Sequence, residues 1–207
     1  MTGTSRRRLL IATGSPHKFA ELSYLLDLPN TDLVSLSDVG IADDVNETGS
    51  TFEDNARLKA GHYARLSGLP TLADDSGIEV DALGGRPGVK TRRYAGPDST
   101  DEKNNRKLLT EMEAFYGPSE RTARYQCVLV LVEGGDFAET TRGTFEGRIA
   151  FAPRGKGGFG YDPIVEPLTE EPGGRTVGQL STEEKNRVSH RALAARAMRE
   201  RLIARGY

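Results

Sequence analysis

The sequence predicts an α/β protein built on a mixed β-sheet, and three observations carry that expectation. Short apolar runs alternate with segments of helical periodicity along most of the chain, the order that gives parallel strands with crossover helices. One pair breaks the alternation: residues 126–132 and 140–150 flank Glu133-Gly134-Gly135-Asp136 and read as an antiparallel hairpin. A length of 207 residues suits one domain with a core and a cleft, so residues 1–207 are expected to form a single domain.

The first strand is expected at residues 9–13, running into Thr13-Gly14-Ser15-Pro16-His17-Lys18 and an amphipathic helix at 18–26. A strand, a small-residue turn and a helix N-terminus make an anion cradle of backbone N–H groups, to which Thr13, Ser15 and Lys18 add donors. The segment also reads as an ordinary helix start with Pro16 in the first turn. It is not a P-loop, which requires Gly-x-x-x-x-Gly-Lys followed by Ser or Thr.

After a second strand at 33–36, a helix is expected at 51–66. Phe52, Ala56, Ala60 and Tyr63 set its apolar stripe, and Asn55 and Lys59 fall beside it at i+3 and i+7. Polar groups so placed cost free energy unless they find partners, although a solvated stripe edge reads equally well. Glu47 precedes this helix closely enough to bring a carboxylate towards its N-terminus.

A third strand at 70–73 is expected to end in Asp74-Asp75, with Ser76-Gly77 turning the chain. Paired carboxylates at a rigid strand end repel unless a cation sits between them or one keeps a proton. Oxygen-only clusters suit Mg2+, which takes one or two protein carboxylates and fills its shell with water and phosphates. Asp-Asp-Ser-Gly also reads as a polar turn.

The second half is a helix at 100–116, the hairpin, and a helical run ending near residue 204. Glycine-rich stretches at 83–96 and 153–160 read as loops, where sites tend to lie. Phe159-Gly160-Tyr161-Asp162-Pro163 closes the second of them. An aromatic beside bare backbone lets a flat ring stack, at about 1–3 kcal/mol per base. The Gly-x-Gly-x-x-Gly look of 155–160 precedes a strand instead of following one, so the dinucleotide reading fails. Ser181-Thr182-Glu183-Glu184 is a capping box with Lys185 just inside its helix. Ser189-His190-Arg191 leads into the last run, whose inner face uses Ala194, Met198 and Leu202. His190 and Arg191 also read as surface residues.

Composition narrows the function. Hydrophobic content of 36% and a formal charge of −2 fit a folded soluble protein and give no case for nucleic-acid or membrane binding. Arg6-Arg7-Arg8 is too short a basic run for nucleic acid, and Leu9-Leu10-Ile11-Ala12 too short an apolar one for a membrane span. A single cysteine, Cys127, excludes an intrachain disulfide and reads as a packed thiol. The expected location is the cytoplasm.

The motifs TGSPHK, ETGSTFEDNARLKA, LADDSG, GGRPGV, RRYAG, GGFGYDP and LSTEEKNRVSHR occur in one order and spacing over nearly the whole chain. In this the sequence resembles the inosine/xanthosine triphosphate pyrophosphatases, which hydrolyse non-standard purine nucleoside triphosphates to monophosphate and diphosphate. The resemblance implies an elongated α/β fold, two lobes around a long mixed sheet with a central cleft, and a homodimer. It implies phosphate contacts from Thr13, Gly14, Ser15, Pro16, His17 and Lys18. Mg2+ would lie at Glu47 and Asp75, with Asp74 beside them, and Asp75 would also be the proton acceptor. Asn55, Lys59 and Ser76 would touch substrate, and Phe159, Gly160, Tyr161, Asp162, Lys185, His190 and Arg191 would recognise the base. Ser15 stands where the family commonly has Asn, and Thr91-Arg92 replaces the commoner Ser-Ala. Two other readings stand beside this one. ATGSPHKFAELSYLL resembles the opening of the Maf-type pyrophosphatases, and a nucleotide-binding regulator without turnover is the third.

Overall fold

The computed structural model describes residues 6–207. It is a mixed α/β fold in which β1 (Arg7–Ala12), β2 (Thr31–Val34), β3 (Thr71–Val80), β4 (Thr122–Glu133), β5 (Asp136–Ile149) and β6 (Val165–Pro167) form a six-stranded sheet. The strand order is β2-β1-β3-β4-β5-β6. β1 runs parallel to both β2 and β3, whereas β6 is antiparallel to β5. The hairpin expected around Gly134-Gly135 is present, and both glycines adopt the positive φ that a tight two-residue turn requires, 63° and 92°. β6 is the short strand expected after the glycine-rich stretch 155–160, and three residues are too few for a period to set its bounds.

The helices start and stop where local chemistry directs. α1 (Pro16–Leu26) has Pro16 in its first turn and Ser15 as its cap, accepting from the Lys18 N–H. α2 (Phe52–Ser67) opens with a reciprocal Thr51–Asp54 capping box and stops at Gly68, whose φ is 66°. α3 (Asp101–Glu111) ends earlier than its periodicity predicts. The buried Arg121 takes the carbonyls of Met112 and Phe115 at 2.8 and 2.7 Å, so these oxygens do not need a continuing helix. α4 (Thr182–Val188) begins at the Ser181 capping box, and α5 (His190–Ala204) follows directly after Ser189.

One expectation is corrected. Asp74-Asp75-Ser76-Gly77 is not a turn at a strand end: β3 continues through all four residues to Val80. The strand is central, with β1 on one side and β4 on the other, and ladder pairing overrides the turn propensity of Asp, Ser and Gly. The consequence is chemical. Successive strand residues face opposite sides of the sheet, so the two acids cannot share one environment.

The chain divides into two compact units. Of the described residues, the first comprises 6–75, 127–143 and 191–207; the second comprises 76–126 and 144–190. Each has its own core. In the first, Leu9, Ile11, Leu72, Cys127, Leu129 and Leu131 pack with Leu22 and Leu26 of α1 and with Ala194, Met198 and Leu202 of α5. In the second, Ile78, Val80, Ala123 and Tyr125 pack with Leu108 and Met112 and with Tyr161, Ile164 and Val177. Cys127 is fully buried, and burial pushes its thiol up to about 12, so it is a packing residue. No helix among the described residues is long and apolar enough to cross a membrane.

Candidate active site

The first unit gathers the charged residues. At the end of β1, Thr13 Oγ1 accepts from the Ser15 N–H at 3.2 Å, and Ser15 Oγ from the Lys18 N–H at 3.4 Å. These side chains therefore shape the turn, and two of its N–H groups are already bonded within it. Gly14, Pro16 and His17 are exposed, and the Lys18 ammonium reaches Asp74 at 2.8 Å.

Asp74 and Asp75 show the strand alternation. Asp74 meets Lys18 of α1 and, at 3.6 Å, Arg191 at the start of α5. Burial alone would raise its carboxyl, but the Lys18, Arg191 and Lys59 charges outweigh burial and hold it well below the usual carboxylate range. Asp75 meets α2 instead. Lys59 Nζ lies 2.9 Å from Asp75 Oδ1, and Asn55 Nδ2 donates to Asp75 Oδ2 at 3.3 Å. Here burial, helped by Glu47, exceeds the pull of Lys59 and moves the carboxyl upwards. Two adjacent aspartates thus acquire opposite proton affinities.

The polar residues beside the α2 stripe are buried and partnered. Asn55 Oδ1 accepts the Gly49 N–H at 2.8 Å, which fixes the segment carrying Glu47. Gly49 has no room for a side chain, since a Cβ there would lie 2.6 Å from that of Asp54. Glu47 Oε1 then reaches Lys59 Nζ at 2.7 Å. Burial disfavours the Lys59 ammonium, but Asp75, Asp74 and Glu47 outweigh it and keep the group protonated.

Two carboxylate oxygens, from Glu47 and Asp75, therefore converge on a single cationic point. That donor set fits Mg2+, a hard cation that accepts one or two carboxylates and completes its shell with phosphate and water oxygens. Asp74, the third acid expected there, faces Lys18 and Arg191. Among the described residues no group of three or more His, Cys, Asp or Glu side chains forms a metal cage.

The second unit carries the aromatic–glycine loop. Asp162 organises it: Oδ2 accepts from the Phe159 N–H and from Lys185 Nζ, both at 2.9 Å, and Oδ1 from the Tyr125 hydroxyl at 3.2 Å. Lys185 Nζ lies 4.5 Å from the Phe159 ring centre, and His190 stacks on Tyr125 at 4.7 Å. The Tyr161 hydroxyl donates to the Thr91 carbonyl at 2.8 Å, and the Thr91 side chain accepts from the Ile78 N–H at 3.2 Å, which gives this threonine a scaffolding role. Gly158 is required, because its φ is 72° and a Cβ would sit 2.0 Å from Asp162 Oδ2. Ser76 is half-buried in the part of β3 that belongs to this unit.

Arg191, grouped by sequence with the base-recognition set, has partners within its own unit. It belongs to the first unit and bonds Glu21 and Asp74, with 2% of its surface exposed. Sequence reasoning also missed Glu21 and Tyr125. Glu21 lies at i+3 from Lys18 on α1, a spacing that marks a shared helix face. Tyr125, inside an apolar strand, gave no such signal.

An α/β scaffold that joins a cationic turn to convergent carboxylates is equipped for phosphorylated ligands. The chain belongs to the Ham1 family, whose pattern it matches over residues 9–201. It is 46% identical over 200 residues to the dITP/XTP pyrophosphatase of Thioalkalivibrio sulfidiphilus, covering 96% of this chain and 100% of the relative. Its identity to the dITP/XTP pyrophosphatase of Bacillus subtilis is 40%, over 96% and 98% of the two chains. The solved Ham1 protein of Staphylococcus aureus superposes with a TM-score of 0.85 at 35% identity, covering 96% and 100% of the two chains. That of Coxiella burnetii also gives 0.85, at 39% identity over 96% and 99%.

Proposed function

We propose that this protein is a magnesium-dependent dITP/XTP pyrophosphatase that hydrolyses inosine, deoxyinosine and xanthosine triphosphates to the monophosphate and diphosphate. Its role would be to remove deaminated purines from the nucleotide pool. The observation that carries the reading is the convergence of Glu47 and Asp75 on one cationic point, in a chain that retains Lys18 and Asp74 close by in sequence and space. A pure binder gains little from crowding carboxylates where phosphates must sit. The reading includes a homodimer in the cytoplasm.

The division of labour follows from the side chains. Lys18 and the turn 13–18 hold phosphate oxygens and stabilise the charge that develops during transfer. Mg2+, held by Glu47 and Asp75, would supply further neutralisation of the phosphate charge when bound. Asp75 accepts the proton of the attacking water. Lys59 and Asn55 hold that carboxylate in place. The Phe159 ring stacks on the base, and Lys185, oriented by Asp162, donates to the oxygen at position six.

Adenine carries an amino group at position six and would set donor against donor in a desolvated pocket. Rejection on that basis reaches roughly 10⁴–10⁵. Guanine keeps the oxygen and is refused only through its two-amino group. The expected order of kcat/KM is therefore inosine and xanthosine triphosphates first, guanosine triphosphate next and adenosine triphosphate last. A panel of purine and pyrimidine triphosphates with identified products tests this. Preferred pyrimidine turnover would restore the Maf-type reading, and tight binding without product the regulator.

A further inference from the structure

Gly160, in the middle of the aromatic–glycine loop, is gripped through both polar groups of its backbone. Its N–H donates to Asp101 Oδ2 at 2.6 Å, and its carbonyl accepts from Asn105 Nδ2 at 3.0 Å. Asp101 and Asn105 lie four residues apart on α3, so one helix face supplies both contacts. Asp101 opens that helix, where an acid is favoured by the N-terminal dipole, and Thr100 caps the same turn. The Phe159 N–H is already bound to Asp162. The peptide planes on either side of Gly160 are therefore fixed, and with them the backbone from which the Phe159 and Tyr161 side chains leave. Gly160 itself has a φ of 64°, a conformation that leaves the loop dependent on outside restraint.

Asn105 has a second feature. It is 7% exposed, and its Oδ1 is buried with no hydrogen-bond partner. An apolar side chain of similar shape would remove that unpaired oxygen, but it would also take the donor away from the Gly160 carbonyl. What the amide does provide is the bond to Gly160.

We propose that Asp101 and Asn105 are positioning residues that set base selectivity by clamping Gly160. The proposal rests on the reading of 159–162 as the base-binding loop. The clamp acts on binding of the base, in ground state and transition state alike, so its loss raises KM and leaves kcat nearly unchanged. The loop then admits six-amino and six-oxygen purines with less distinction.

Asn105→Leu and Asp101→Ala test this, with Asp101→Asn as the conservative control that keeps an acceptor. Melting temperature, kcat and KM are measured for inosine and adenosine triphosphates. The expected result for Asn105→Leu is a Tm within about 4 °C of wild type, a KM for inosine triphosphate raised by up to roughly tenfold, and an inosine-to-adenosine ratio compressed to match. Asp101→Ala should behave likewise, and Asp101→Asn should return KM and ratio towards wild type. A wild-type enzyme that discriminates, with variants that keep its KM and ratio whatever their Tm, overturns the clamp. A wild-type protein with no turnover overturns the functional reading and the clamp with it. Should Asn105→Leu fail to fold, the Asp101→Ala and Asp101→Asn pair decides by the same numbers.

Discussion

Asp75→Asn lowers kcat on inosine triphosphate by at least ~10²-fold, the usual scale for losing a general base, and leaves the protein folded. The amide keeps the shape of the carboxylate but neither accepts a proton nor holds a divalent cation well. Folding survives because Lys59 retains Glu47 at 2.7 Å, so no buried ammonium is abandoned. The substitution also removes a charge that burial disfavours. The structural losses are the charge of the 2.9 Å Lys59 contact and the 3.3 Å bond from Asn55, whose own amide stays anchored by Gly49. Steady-state kinetics and a thermal melt on the same preparation check both halves. Turnover within tenfold of wild type would reduce Asp75 to a structural acid.

Arg191→Ala should be the most damaging change to stability among the site residues. Arg191 is almost wholly buried between Asp74 and Glu21. Truncation leaves Asp74 with Lys18 as its near cation and Glu21 without its guanidinium partner. Breaking a buried pair typically costs 3–5 kcal/mol, and the remaining Lys18 contact argues for about 3 kcal/mol here. For a protein of this size that is a fall in Tm of roughly 6–12 °C. Lys18, now needed to balance Asp74, is less available to phosphate, so turnover falls for inosine and adenosine triphosphates by the same factor. The ratio between them is unchanged, which separates this account from one in which Arg191 reads the base. A compressed ratio with an unmoved Tm would favour that other role.

Much of this was legible in the sequence because local rules and global fold agree. The α2 stripe, the capping boxes at Thr51 and Ser181, and the Gly134-Gly135 turn follow from periodicity and cap chemistry. The flag raised by Asn55 and Lys59 had a sound physical basis: buried polar groups need partners, and here they are Gly49, Glu47 and Asp75. Asp74-Asp75-Ser76-Gly77 was misread for the opposite reason. Turn propensity is local, whereas a central strand is imposed by neighbours remote in sequence. That error hid the main electrostatic feature of the site, since only a strand sends adjacent aspartates to opposite faces. Glu21, Asp101 and Asn105 were missed because their partners lie 170, 59 and 55 residues away. No pattern within a helix records such distances.

The central claim is that water, activated at Asp75, attacks the α-phosphorus of a non-standard purine triphosphate. A single turnover of inosine triphosphate in H₂¹⁸O, with both products analysed by mass spectrometry, tests it most directly. The account predicts one ¹⁸O atom in the inosine monophosphate, unlabelled diphosphate and no orthophosphate. Label in the diphosphate, or direct release of orthophosphate with inosine diphosphate, would contradict it.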